Sequence, residues 1–114
     1  MSSTRTSRLW ILGAPDPEMV AIESLLQEAG ERVAHAVGPD GMRVHPGNAY
    51  TAEGPLVSHK ESIYLVECGF PLLPSGMGIT EIDHHRPGDS GYGRPPSEYL
   101  RASSIGQVFF HLFR

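Results

Sequence analysis

The first sustained pattern in the chain is an unbroken apolar run, Leu9-Trp10-Ile11-Leu12, stopped by Gly13-Ala14-Pro15. A run this short with no polar face predicts a strand buried on both sides. Asp16, Pro17 and Glu18 then open a helix: Asp16 is a good N-cap, Pro17 suits the first helical position, and Glu18 lies where the helix dipole favours negative charge. Ile22, Leu25, Leu26 and Ala29 recur at the spacing that gathers side chains on one helix face, and Gly30 is a natural stop. Arg32 to Val37 alternate like a half-buried strand and complete a strand-helix-strand unit. Such a unit implies parallel strands joined by a right-handed crossover.

Residues 38–55 are rich in Gly, Pro, Asn and Asp. They read as a loop too long to be a mere connector, with Arg43-Val44-His45 as a candidate brief strand. Ile63 to Gly69 predict a third strand with an acid, Glu67, near its carboxyl end, and Gly78 to Ile82 predict a fourth. Residues 90–96 have loop composition, and Ser97 to Leu100 fit one helical turn. Ser104-Ile105-Gly106-Gln107 has the form of a capping box, after which Ile105, Val108, Phe109 and Leu112 make an apolar stripe. Phe110 lies off that stripe, so an exposed Phe110 would mark a partner surface. The pattern as a whole predicts an α/β fold: a doubly wound, mostly parallel sheet of four to five strands with flanking helices. Residues 8–114 would form a single domain behind a loose, Ser/Thr/Arg-rich stretch over 1–7.

Composition sharpens this only in places. One domain is what 114 residues allow, and a chain of that length buries roughly two thirds of its unfolded surface. A net charge of -4 argues against broad, nonspecific binding of a nucleic-acid backbone, and leaves a local patch or a bound metal as the route to a phosphate. The single cysteine, Cys68, precludes an internal disulfide and reads as a small buried apolar residue. There is no signal-peptide pattern and no apolar run near the ~18 residues of a membrane span, so the expectation is a cytoplasmic protein with no membrane partner.

In an open parallel sheet the loops leaving the carboxyl ends of the strands share one rim, and ligands bind there. Three polar groups fall at that rim: Asp16 and Glu18 after the first strand, Glu67 at the third, and Asp83, His84 and His85 after the fourth. Carboxylates beside imidazoles suit a hard or borderline ion such as Mn²⁺ or Mg²⁺, whereas a structural zinc more often recruits thiolates. Two such ions about 4 Å apart would activate water and neutralise a phosphoryl group. Arg86 and Arg94 flank the stretch and are placed to grip a phosphate, against an alternative as surface charges. Asp16 has its own alternative as an N-cap with no further role, and His45 is either a solvated loop imidazole or a replacement ligand.

Ala14-Pro15-Asp16-Pro17-Glu18 after a strand, Val66-Glu67-Cys68-Gly69 closing a strand, and Asp83-His84-His85 occur in that order along the chain. This series resembles the DHH phosphoesterase family, named for its Asp-His-His motif. That family's first motif reads like Asn-Pro-Asp-x-Asp, and its second is an Asp that closes a hydrophobic strand. The resemblance implies a Mn²⁺-dependent, or Mg²⁺-dependent, phosphodiesterase or pyrophosphatase acting on a nucleotide or short nucleic acid. It further implies metal on Asp16, Glu18, Glu67, Asp83 and His84, with His84 and His85 as the catalytic residues.

The chain also departs from the family. Leu12 stands where an imidazole is usual, Glu18 and Glu67 replace aspartates, and neither the fourth carboxylate nor the separate substrate-binding domain beyond the His pair is present in these residues. A degenerate site of this kind would hold no metal. The alternative expectation is therefore a DHH-like scaffold without catalysis, such as a phage or mobile-element inhibitor of the anti-CRISPR type that engages a host nuclease complex. A third is a truncated gene product whose missing part carried the rest of the site.

Overall fold

A computed structural model of the chain describes residues 8–55, 62–71, 78–83 and 103–113. Its centre is β1, Arg8–Leu12, the apolar run that opens the pattern, flanked on both sides by parallel neighbours. Helix α1 spans Pro17–Glu28, and β2, Arg32–His35, follows it at once. A 3₁₀ turn covers Ala49–Thr51, then come β3, Ser62–Val66, β4, Gly78–Ile82, and helix α2, Ser104–Leu112. The four strands form one all-parallel sheet in the order β2-β1-β3-β4. The fold is thus α/β with a doubly wound strand order: the chain moves outward from β1 to β2, then returns to the other side of β1.

Each face of the sheet carries its own core because alternate side chains point to opposite faces. Trp10, Leu12, Val66 and Ile82 pack with Met19, Ile22 and Leu26 of α1 and Val108 of α2. Leu9, Ile11, Ile63 and Leu65 face the other way and are covered by Ala36, Val44, Ala49, Ala52 and Cys68. Both described helices therefore lie on one face, and the long loop covers the other. Its ends are tied together at Val37, which bridges antiparallel to both Arg43 and Gly54. The expected brief strand at Arg43 is that single bridge.

Helix α1 begins and ends as its sequence predicts. Asp16 Oδ1 accepts from Met19 N at 2.8 Å, and Pro17 is the first helical residue. At the other end Gly30 takes φ +78, while its N–H donates to Gln27 and that of Glu31 to Leu26, the paired closure that a left-handed residue permits. The buried stripe is Met19, Ile22 and Leu26; Ala29 is the exposed C-cap rather than a core residue.

Helix α2 differs more. Its N-cap is Ser103, whose Oγ accepts from Gly106 N at 3.1 Å, and Ser104 is the first helical residue. Its buried face is Ser104, Gln107 and Val108, so Phe109 is 55% exposed instead of lying in the core. The physical reason is the side-chain amide of Gln107, which donates to the Asp83 carbonyl at 2.7 Å and turns that face inward. Phe109, Phe110 and Phe113 are left exposed.

The two ends of the sheet contrast. At the amino end Arg8 forms a two-pronged pair with Glu31 at 2.7 Å, and Trp10 Nε1 donates to the same carboxylate at 2.9 Å. Trp10 and Tyr64 stack beside this pair with ring centroids 4.3 Å apart. The other end is the rim at which the strands finish. Among the described residues no helix is long and apolar enough to cross a membrane.

Candidate functional site

The strand register fixes which residues meet at the rim. Leu12 is level with His35 and Val66, and Val66 is level with Ile82. One residue further on stand Gly13, Ala36, Glu67 and Asp83, so the acids after β3 and β4 leave the sheet side by side. The ladder continues into this row, with Gly13 N donating to Val66 and Glu67 N to Ile82, both at 2.9 Å.

Glu67 has φ +55, a left-handed backbone that residues with a Cβ adopt at a cost, and it is buried at 8% exposure. Its carbonyl group faces Gly13, where any side chain would overlap it. The β1–α1 turn thus passes directly over the β3 exit. Arg43 braces that turn from the loop side, its Nε and Nη2 donating to the Gly13 carbonyl at 3.1 and 3.0 Å. Glu23 of α1 links to His35 Nε2 at 3.0 Å and lies 4.0 Å from Arg43. Helix, edge strand and loop are joined around one turn by these contacts.

Between that turn and the loop lies a cleft of about 200 Å³, lined by Ala14, Asp16, Pro46, Ala49, Tyr50 and Glu67. Asp83 is not one of its lining residues; it is 2% exposed, and its Oδ2 accepts from the Tyr50 hydroxyl. Asp16 and Glu67, from two different strand ends, line this one cleft, whereas Asp83 reaches it only through its hydrogen bond with Tyr50. Glu18 is placed otherwise: its Oε2 accepts from Ile105 N at 3.1 Å, in the first turn of α2, where the helix dipole favours a carboxylate. His84, His85, Arg86 and Arg94 lie outside the described residues. Leu12 is fully buried in the core beneath α1, so that position contributes nothing to the cleft.

Hard oxygen donors of this kind suit Mn²⁺ or Mg²⁺. Among the described residues no three His, Cys, Asp or Glu side chains are grouped to hold an ion by themselves. A complete ligand set would have to draw on positions 84 and 85 as well. Other candidate groups are otherwise engaged. Burial pushes the Cys68 thiol up to about 12, and its Sγ donates to the Ile11 carbonyl at 3.4 Å, so it offers no thiolate at neutral pH. His45 is exposed, and its Nδ1 accepts from Gly47 N at 3.0 Å.

Tyr50 and Gln107 are the residues that sequence reasoning missed. A tyrosine inside a Gly/Pro/Asn loop follows no periodicity, and the only signal was that the loop exceeds the length a connector needs. Gln107 stood in the sequence as half of a capping box, whereas its amide serves Asp83 from the helix interior. Compared with known protein families, curated proteins and solved structures, the chain matches none.

Proposed function

We propose that this chain is a DHH-like phosphoesterase domain acting on a phosphodiester or pyrophosphate of a nucleotide or short oligonucleotide. The observation that carries the reading is Glu67, an acid held buried in a left-handed backbone at the wall of a cleft it shares with Asp16. Strain of this sort, roughly 1–3 kcal/mol, persists where the surroundings over-determine it and concentrates at functional sites. Asp16, Glu67, Asp83 and His84 would hold Mn²⁺ or Mg²⁺, and Glu18 would join them only by leaving Ile105. The ion would supply an activated water and charge neutralisation at the phosphoryl group. His85 orients water or the leaving group, and Arg86 and Arg94 bind phosphate oxygens. Ala14, Pro46, Ala49 and the Tyr50 side chain give the cleft an apolar wall against which a base or sugar can pack.

The test is Mn²⁺ binding by calorimetry together with hydrolysis of a dinucleotide and of a generic phosphodiester. Glu67→Gln and His84→Ala serve as controls. Metal-dependent turnover lost in both variants supports the reading; absence of metal binding, or turnover indifferent to the substitutions, removes it.

A second reading is favoured by two observations: the full burial of Leu12 where an imidazole would be needed, and the exposed rings of Phe109, Phe110 and Phe113. In it the scaffold has lost catalysis and acts as a binding protein, such as a phage or mobile-element inhibitor of a host nuclease complex. Inhibition of a nuclease at stoichiometric concentration, without metal binding by this chain, supports that reading.

A further inference from the structure

The cleft at the rim has a chemistry that can be read from its lining. Of its six described lining residues, Asp16 and Glu67 are acids, Tyr50 is aromatic, Ala14, Pro46 and Ala49 are apolar, and none is basic. We propose that this cleft is a receptor for a guanidinium group, the side chain of an arginine presented by a partner protein. The inference requires no metal and no residue outside that lining, so it stands or falls apart from the phosphoesterase reading.

Size limits the guest first. About 200 Å³ is below the roughly 300 Å³ at which clefts for whole small molecules begin, and suits one long side chain. Charge limits it next: two carboxylates repel an anion and favour a cation, and a chain of net charge -4 reinforces that preference at longer range. The two acids come from different parts of the rim, Glu67 buried at the exit of β3 and Asp16 exposed ahead of α1. A guanidinium is planar and carries five donors, so it can meet two separated carboxylates and lie against an aromatic ring at once, which a compact ammonium does less well. Its aliphatic stem would pack on Ala14, Pro46 and Ala49.

The walls are set before any guest arrives. Asp16 commits Oδ1 to Met19 N at 2.8 Å, and a carboxylate retains capacity for further donors. Tyr50 is held through its hydroxyl, which donates to Asp83, and through its turn: Gly69 N donates to Ala49 at 2.9 Å and Ala52 N to Gly69 at 3.0 Å. Arg43, donating to the Gly13 carbonyl at 3.0 Å, fixes the turn that carries Ala14. A preformed site binds without the cost of ordering its walls. The exposed lining residues, Asp16 and Pro46, form the mouth, and a peptide segment covers surface there that a free guanidinium leaves in water.

The experiment follows amide shifts of the metal-free protein, in excess chelator, on titration with a capped Gly-Gly-Arg-Gly-Gly peptide, its citrulline and lysine analogues, and methylguanidinium. Citrulline keeps the shape of arginine and removes the charge. The arginine peptide is expected to bind about 10- to 100-fold more tightly than the citrulline peptide, the range for hydrogen bonds to charged groups, with shifts centred on Ala14, Ala49, Tyr50 and Glu67. The lysine peptide and methylguanidinium should both bind less tightly than the arginine peptide. Glu67→Gln should lose about 10- to 100-fold and Asp16→Asn, which keeps the cap, about 2- to 5-fold, whereas Glu28→Gln at the far end of α1 should change nothing. Equal binding of the arginine and citrulline peptides overturns the inference on the wild-type protein alone, whatever the variants do to folding. Equal losses in Glu67→Gln and Glu28→Gln overturn it in favour of bulk charge, and methylguanidinium binding as tightly as the peptide overturns the assignment to a partner's side chain. Absence of Mn²⁺ binding in the assay above removes the phosphoesterase reading and leaves these titrations unaffected.

Discussion

Gly13 lies so close to Glu67 that a Cβ at position 13 would overlap the Glu67 carbonyl oxygen. The contact is backbone against backbone, between the exits of two paired strands, so neither side can yield by changing a rotamer. Gly13→Ala is therefore expected to destabilise the fold by about 3 kcal/mol, at the upper end for overpacking, because the β1–α1 turn must lift from β3. Urea denaturation reads this directly. An unchanged midpoint would mean that the turn and the β3 exit can separate freely, and that the site is not held as described.

Glu67 itself predicts the opposite sign. The left-handed backbone costs a residue with a Cβ roughly 1–2 kcal/mol, and Asn tolerates that region better than Glu. Glu67→Asn is expected to raise stability by about 1 kcal/mol and, on the proposed metal-site reading, to weaken Mn²⁺ binding. Parallel urea and Mn²⁺ titrations check both halves. A variant that is less stable than the wild type would show that the acid at this position is structural.

The parts of this fold that were legible in the sequence are those set by local rules. Leu9 to Leu12 could be read as a buried strand because it has no polar face, and α1 could be read from Asp16, Pro17 and Gly30 because caps act over a few residues. That Asp16 and Glu67 share one cleft was legible too, since a parallel sheet brings strand exits to one rim. What was not legible depends on distant partners. The inward face of α2 is set by Gln107 reaching Asp83, which shifts the buried stripe from Phe109 to Ser104 and Gln107. Glu18 is a ligand only as the family resemblance implies it, and its contact with the start of α2 needs the position of Ile105 to be known. Tyr50 needed the whole path of the loop before its partner could be known.

Cys68 carries a pH prediction. Burial raises its thiol from an ordinary 9.0 to about 12, so between those values the unfolded chain loses a proton that the folded chain keeps. Stability from this group is unaffected below pH 9 and falls as pH rises toward 12, at up to about 1.4 kcal/mol per pH unit. Cys68→Ala should flatten that alkaline slope, at the expense of a small cavity. Urea midpoints at pH 8 and about pH 10.5 for both proteins test it; equal slopes would indicate that the thiol ionises in the folded state as easily as in the unfolded one.

The start of α2 offers a last comparison between neighbouring serines. Ser103 caps the helix through its Oγ, which accepts from Gly106 N, whereas the Ser104 Oγ is buried without a hydrogen-bond partner among the described residues. Losing a cap costs about 1 kcal/mol, while deleting a buried hydroxyl that has no partner removes a desolvation penalty. Ser103→Ala is thus expected to lower stability by about 1 kcal/mol and Ser104→Ala to leave it unchanged or raise it slightly. The capping-box spacing read from sequence alone predicts the reverse order. Thermal melts of the two variants decide between these orders.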